Sequence, residues 1–359
     1  MGNLAGAAYY LPETGERMRK VIVGGMALLS VFSLPASGQA PAGATPKASP
    51  PKRPGVSTPG VRIPISSLKP DAVFSLPGVP DWLAIDEHVW VSNSPKNTVH
   101  RLDPKTNTVA ATIEVGRHPC SGLAVGFGSL WVPNCGEKGV GKSLMRVSLK
   151  DGKVEATLPF EVPESEGGLA SGAGSIWVMT DKNGTLTRID PATNKAVAEI
   201  SVAPGSYAVA FGEDAVWITS TEKGVVTRVN ARTNVVEETI PVGPRPRFLA
   251  VGEGSVWTIN QGDGSISRVD VKTNKVVATI QAGIPGGGGE IAIGDGSVWV
   301  TSFEYPITRI DIATNKVVQQ FHGDGGDSIR FGLGSVWLSN LRAANVWRLD
   351  PQRIVATQP

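Results

Sequence analysis

Seven tryptophans recur along this chain at near-constant spacing: Trp90, Trp131, Trp177, Trp217, Trp257, Trp299 and Trp337. The intervals are 41, 46, 40, 40, 42 and 38 residues. Residues 252–283, GEGSVWTINQGDGSISRVDVKTNKVVATIQAG, show the unit most clearly. With the preceding residues they give four short runs rich in Val, Ile, Thr and Trp, at 249–251, 255–259, 266–270 and 276–280, bounded by Gly, Asn and Asp. Such runs are strand and hairpin signals, and no 3.6-residue apolar period competes with them. Seven units of about 40 residues, each holding four strands, describe propeller blades. The fold class is all-β: a seven-bladed β-propeller with four-stranded antiparallel blades.

Two other positions repeat in step. An arginine recurs in each third strand, at Arg101, Arg146, Arg188, Arg228, Arg268, Arg309 and Arg348. A Thr-Asn pair then turns the chain at 106–107, 193–194, 233–234, 273–274 and 314–315, and blade 2 substitutes Lys150-Asp-Gly. Asn tolerates positive φ and bonds its own backbone, which suits a tight turn. Residues at equivalent positions in every blade are scaffold: the Trp rings fill the wedges between sheets, and the Arg side chains make inter-blade bonds. Function then belongs to residues that break the repeat.

The first 70 residues do not carry the repeat. Arg17, Arg19 and Lys20 precede a 14-residue apolar run at 21–34, followed by PASGQA. This reads as a secretory signal peptide over 1–38, with Met18 as the natural start of such a signal. The LPETG at 11–15 lies at the wrong end of the chain for a sortase signal. Residues 39–70 are rich in Pro, Ala and Ser and read as an extended linker without a core. The propeller is assigned to 71–359. Of the 34 basic and 32 acidic residues, three and two fall in 1–38, and five basic ones in 39–70. The propeller keeps 26 and 30, a net charge of −4, which argues against nucleic acid as a partner. No membrane span is expected in the mature chain, and a monomer is expected.

A propeller must hide the edge between its first and last blades. Residues 72–76, AVFSL, resemble an outer strand and are expected to complete blade 7 beside 346–349, with residues 354–357, IVAT, adding at the edge. Cys120 and Cys135 flank the first hairpin of blade 2 at facing positions. In an exported protein they are expected to form a disulfide.

GEKGVGKS at 136–143 matches the P-loop pattern letter for letter. A phosphate cradle needs a helix after it, and here LMRVSL, a third strand, follows; the segment reads as an enlarged loop. The connections between blades converge on one face around the channel mouth. Their irregular polar residues are Asp81, Arg117, His118, Glu164, Glu166, Tyr207, Arg245, Arg247, Glu290, His322, Asp324 and Asp327, and neighbouring loops add Glu304, Tyr305 and Arg342. From these, His118, Arg247 and Glu290 are the candidate ligand-binding residues, with Arg117, Tyr207 and Arg245 nearby. Together they offer donors, a titratable imidazole and a carboxylate.

W-V-S-N at 90–93, W-V-P-N at 131–134, W-L-S-N at 337–340 and D-P-x-T-N-K at 190–195 resemble the YVTN-type seven-bladed propellers and the repeats of virginiamycin B lyase. The resemblance covers 72–359 and is carried by scaffold positions. It implies the propeller fold, and for some relatives Mg²⁺-assisted elimination by histidines on neighbouring blades with a Glu, or lactonase chemistry with a channel metal. The lyase constellation departs here. His118 and His322 lead into blades separated by blade 1, and Arg247 stands where a histidine would be wanted. The sequence is therefore read as an exported, periplasmic or extracellular propeller. It binds a small polar ligand or an envelope protein at its channel mouth, and no cofactor is expected. The alternative is a metal-assisted lyase or lactonase using Mg²⁺ or Ca²⁺.

Overall fold

Alternating Val, Ile and Thr between turn clusters produces 28 strands that assemble into seven sheets around a central channel, joined by a short strand at the periphery. The computed structural model describes residues 53–138, 140–163 and 166–357. The signal region 1–38, linker residues 39–52 and Glu164 lie outside them. Each sheet is built on four antiparallel strands, as in blade 5: Pro246–Gly252, Ser255–Asn260, Ser265–Asp270 and Lys275–Gln281 from channel to rim. No helix among the described residues is long and apolar enough to cross a membrane.

The seven Trp rings are fully buried, and each lies beneath the third-strand arginine of its own blade, with guanidinium-to-ring distances of 4.8 Å in blade 5 and 5.9 Å in blade 6. The arginines then reach across the seams. Arg228 donates to the Val271 carbonyl at 2.7 Å and to Asn274 Oδ1 at 2.8 Å, and Arg268 donates to the Ile312 carbonyl and Asn315 Oδ1, both at 2.8 Å. The turn asparagines Asn107, Asn194, Asn234, Asn274 and Asn315 all have positive φ. They serve twice, turning the chain and accepting the neighbour's guanidinium. Two arginines differ: Arg101 meets only the Leu149 and Lys150 carbonyls, at 3.4 and 3.5 Å, where blade 2 turns through Lys150-Asp-Gly, and Arg309 bonds Gln319 of its own blade at 3.1 Å. Blade 7 takes its outer strand from the other end of the chain and has no Thr-Asn turn to offer.

Ala72–Ser75 pairs with Asn345–Leu349 and closes blade 7, as the sequence suggests. Arg348 completes the ring by donating to the Pro104 carbonyl at 2.6 Å. The last residues do not form the expected edge strand. Pro351–Val355 is a single helical turn in which the Asp350 side chain accepts from Gln352 N and Pro351 opens the helix. Asp-Pro is a strong helix start, and the buried Ile354 pins it. Gln319 Nε2 donates to the Ile354 carbonyl at 2.6 Å, and Arg353 pairs with Asp71 at 2.8 Å. The helix thus fills the place of the missing turn and holds the two ends together.

The described part of the linker, 53–70, is also corrected: it has packing of its own. Arg62–Pro64 adds to the rim of blade 6 as a fifth, parallel strand against Lys316–His322. Val56, Ile65 and Leu68 are buried. The Arg53 guanidinium is held by the carbonyls of Pro285, Phe303 and Gly287 at 2.8, 2.8 and 2.5 Å. Scattered apolar residues without a period gave no sequence signal for this docking.

Cys120 and Cys135 are disulfide-bonded, with Cα atoms 5.8 Å apart. Their pairing is not the simple facing register, because the register shifts by two residues between Ala124↔Trp131 and the Pro119↔Asn134 bridge. The P-loop-like segment turns through Glu137–Val140 pairing straight into the strand Ser143–Ser148, with no helix.

Two stability measurements follow. Trp217→Ala empties one wedge and should destabilise the fold by roughly 3–5 kcal/mol in urea unfolding. Reducing the disulfide, which closes a loop across a sequence separation of 15, should cost about 3 kcal/mol, and free thiols in native protein produced under oxidising conditions would contradict it.

Candidate functional site

The innermost strands line the channel, and sheet register identifies equivalent positions in all seven blades. The residue paired with the repeat Trp is Ala84, Ala124, Ala170, Ala210, Ala250 and Ala292 in six blades, and Arg330 in the seventh. Small side chains at this level let seven strands converge. A single arginine there is a break in the repeat that the sequence reading overlooked, although the alanine pattern was visible.

Arg330 pairs with Glu290 on the adjacent blade. Glu290 is 4% exposed and also accepts from Ser328 Oγ and from Ile329 N at 3.2 Å. Burial pushes its carboxyl above the usual range, and Arg330 opposes that shift. Removing one partner of such a pair would leave an uncompensated buried charge. Glu290 and Arg330 face a channel cavity of about 50 Å³ with Gly122, Gly167, Ala208 and Phe248. A Cβ on Gly122 would stand 3.0 Å from the Gly167 Cα, so blades 2 and 3 approach each other closely here.

Bulges shape the mouth. The register shifts between Pro80 and Leu83, Ser206 and Val209, and Pro246 and Leu249. A bulge bends its strand and re-aims side chains; the re-aimed residues are Asp81 and Trp82, Tyr207, and Arg247 and Phe248. Hydroxyls hold two of the freed N–H groups: Trp82 N donates to Ser92 Oγ at 3.0 Å and Ala208 N to Thr219 Oγ1 at 3.2 Å. Trp82 and Phe248 meet across the channel with ring centroids 6.0 Å apart. Arg247 lies over the Tyr207 ring at 4.6 Å and reaches Glu166 at 2.5 Å, spanning blades 3 to 5.

Asp81 and Asp327, from blades 1 and 7, lie close enough for their carboxyls to act on each other. The other charges acting on the pair are Glu166 and Glu290, both negative. Burial and these neighbours push Asp81 well up, and Asp327 to about 6. The pair therefore keeps its protons to higher pH than free aspartates do.

Of the sequence candidates, the structure brings Arg247, Tyr207 and Glu290 to the mouth or channel. Arg117 and His118 stand on the exposed rim: Arg117 pairs with Glu137 at 3.0 Å, and His118 N donates to Asn97 Oδ1 at 2.9 Å. Arg245 is exposed too, and its carbonyl accepts from Gln261 N. His118 and Arg245 both have positive φ and precede a proline, so their irregularity is that of a turn. His322, Glu304 and Asp324 line a different, larger cavity of about 640 Å³ beside residues 53–62. His100 is buried among Asn93, Thr98 and Thr112 as a structural residue.

No family model and no curated protein sequence matches this chain. Solved structures do. A streptogramin B lyase structure matches with a TM-score of 0.64 at 21% identity, covering 77% of this chain and 96% of the other. The fold is that of a virginiamycin B lyase-like propeller. A catalytically inactive variant of virginiamycin B lyase from Staphylococcus aureus with quinupristin gives 0.63 at 16%, covering 76% and 94%. The computationally designed Ika8 protein gives 0.59 at 13%, covering 77% and 99%. At these identities the likeness speaks for the fold alone. The divalent metal implied by the lyase resemblance does not fit the mouth. Glu166 and Glu290 are committed to arginines, and among the described residues no three His, Cys, Asp or Glu side chains group as metal ligands.

The acid pair predicts a pH dependence. A carboxyl whose pKa is raised by folding contributes stability that is full below its unfolded value, near 4, and is lost as pH rises through its folded value, about 6 for Asp327. Asp327→Asn removes that loss. Relative to the parent, the variant should gain roughly 1–2 kcal/mol between pH 4.5 and 7.5, with a discount for solvent at the open mouth. Urea unfolding at both pH values measures it.

Proposed function

We propose that this chain is an exported envelope protein that binds a small polar ligand at the mouth of its central channel. One observation carries the reading: side chains that break the repeat on blades 1, 3, 4, 5, 6 and 7 converge there as a mixed set of carboxyls, guanidiniums and aromatics. Asp81, Glu166, Tyr207, Arg247, Glu290, Asp327 and Arg330 form that set. Buried aromatics with a few polar groups are the usual composition of a ligand pocket. Two donors near the mouth have no protein partner, Trp82 Nε1 and Arg247 Nε, which favours a ligand bearing oxygen acceptors. The disulfide suits an oxidising compartment.

Ligand binding is favoured over metal-assisted elimination because Glu166 and Glu290, the two glutamates at the mouth, are each already neutralised by an arginine. Arg247 and Tyr207 are assigned the ligand contact, with the Glu290–Arg330 pair holding the channel wall behind them. A thermal-shift screen with hydroxylated, carboxylated and amino-bearing small molecules should find one that stabilises the protein. Arg247→Ala should weaken its binding by about 10- to 150-fold, as expected for a charge-assisted bond of roughly 1.5–3 kcal/mol. A ligand that binds Arg247→Ala and Tyr207→Ala with unchanged affinity would overturn the assignment.

A further inference from the structure

Charge at the mouth is unevenly compensated. Arg247 is occupied by Glu166 and Arg330 by Glu290, whereas Asp81 and Asp327 have only each other. Four carboxyl groups thus meet two guanidiniums. We propose that the group this mouth receives is an organic cation, of the alkylammonium or guanidinium class, seated between Asp81 and Asp327. This deepens the reading of the mouth as a ligand site and rests on it.

A second observation comes from the neighbouring residue. Trp82 follows Asp81, is 4% exposed and lies across the channel against Phe248, yet its indole N–H has no partner. Buried polar hydrogens are almost always bonded. Together with the unpaired Arg247 Nε, it calls for an oxygen on the ligand as well as a cation. The aromatic faces of Tyr207 and Trp82 offer the surroundings in which ammonium groups are held. Arg247 already occupies the Tyr207 face, leaving Trp82 and the two aspartates for the ligand.

The exchange balances. The empty pair keeps a proton to higher pH than a free carboxyl does. When the ligand cation enters, the proton leaves to water, and two carboxylates face one positive group. Glu166 and Glu290 are each paired with an arginine, which leaves the two aspartates as the uncompensated charge. Binding should therefore release up to one proton and weaken as pH falls below about 6, where Asp327 holds its proton.

The test compares 5-aminopentanol and butylguanidinium with 1,5-pentanediol and 5-hydroxypentanoate. Calorimetry and NMR titration are run at pH 7.5, in phosphate and in barbital, buffers that carry no cation of their own, to count protons. The cations should bind at least about tenfold more tightly than the diol. Asp327→Asn and Asp81→Asn should each erase that preference by about tenfold while keeping the native far-UV spectrum. Proton release should disappear in Asp81→Asn, which removes the carboxyl raised most by burial. The proposal is overturned if the diol or the hydroxy acid binds as well as the amine, if either variant keeps the preference, or if Ca²⁺ alone displaces the proton. Binding of 5-hydroxypentanoate that depends on Arg247 while the amines stay inert would end this proposal and leave the mouth a ligand site. Silence from all four probes would count against both.

Discussion

The ring depends on one repeated interaction: a buried Trp filling the wedge between two sheets, covered by an arginine that reaches into the next blade. Wedges widen toward the rim, so only a large ring fills them without a void. A guanidinium can stack on that ring and still donate in its plane to the neighbour's turn. The receiving Asn adopts a left-handed backbone that few residues tolerate, so turn chemistry and inter-blade adhesion fall on the same residue. Five of the seven seams are thus specified by three residue types at fixed offsets. That is why the repeat survives so visibly while the rest of each blade varies.

Two seams lack the turn asparagine: in one, Arg101 meets only the Leu149 and Lys150 carbonyls, and the other explains both ends of the chain. Blade 7 borrows its outer strand from Ala72–Ser75, so Arg309 of blade 6 finds no turn asparagine. Gln319 and the helical turn Pro351–Val355 stand in, with Arg309 bonding Gln319 and Gln319 bonding Ile354. The strand Arg62–Pro64 covers part of the rim beside it. Edge protection and ring closure are solved together by segments outside the repeat.

Inside the ring, the same regularity makes exceptions legible. Alanine at the innermost level keeps the channel narrow. Replacing one by Arg330 requires a carboxylate within reach, which Glu290 supplies from the adjacent blade. Bulges in blades 1, 4 and 5 turn Asp81, Tyr207 and Arg247 toward the mouth. Glu166 answers Arg247, and the two aspartates are left facing each other. The chemistry of the mouth follows from which blades carry a bulge and which carry glycine.

The sequence alone determined the blade number, the strands, the scaffold role of Trp and Arg, the closing strand and the cysteine pair, because these rest on local periodicity and turn chemistry repeated seven times. It also singled out Arg247, Tyr207 and Glu290 as breaks in the pattern. Only the tertiary structure decided their partners. Arg247 reaches Glu166 across an intervening blade, Asp81 meets Asp327 from opposite ends of the chain, and Arg330 joins Glu290. Such contacts depend on register shifts of one or two residues and on which strands become neighbours when the ring closes. His118 and Arg245 broke the repeat just as visibly, yet their left-handed backbone belongs to turns on the rim. A linear pattern marks an irregular residue without saying whether it turns the chain or faces the channel, because that is set by backbone direction at the bulge, a property of the folded sheet.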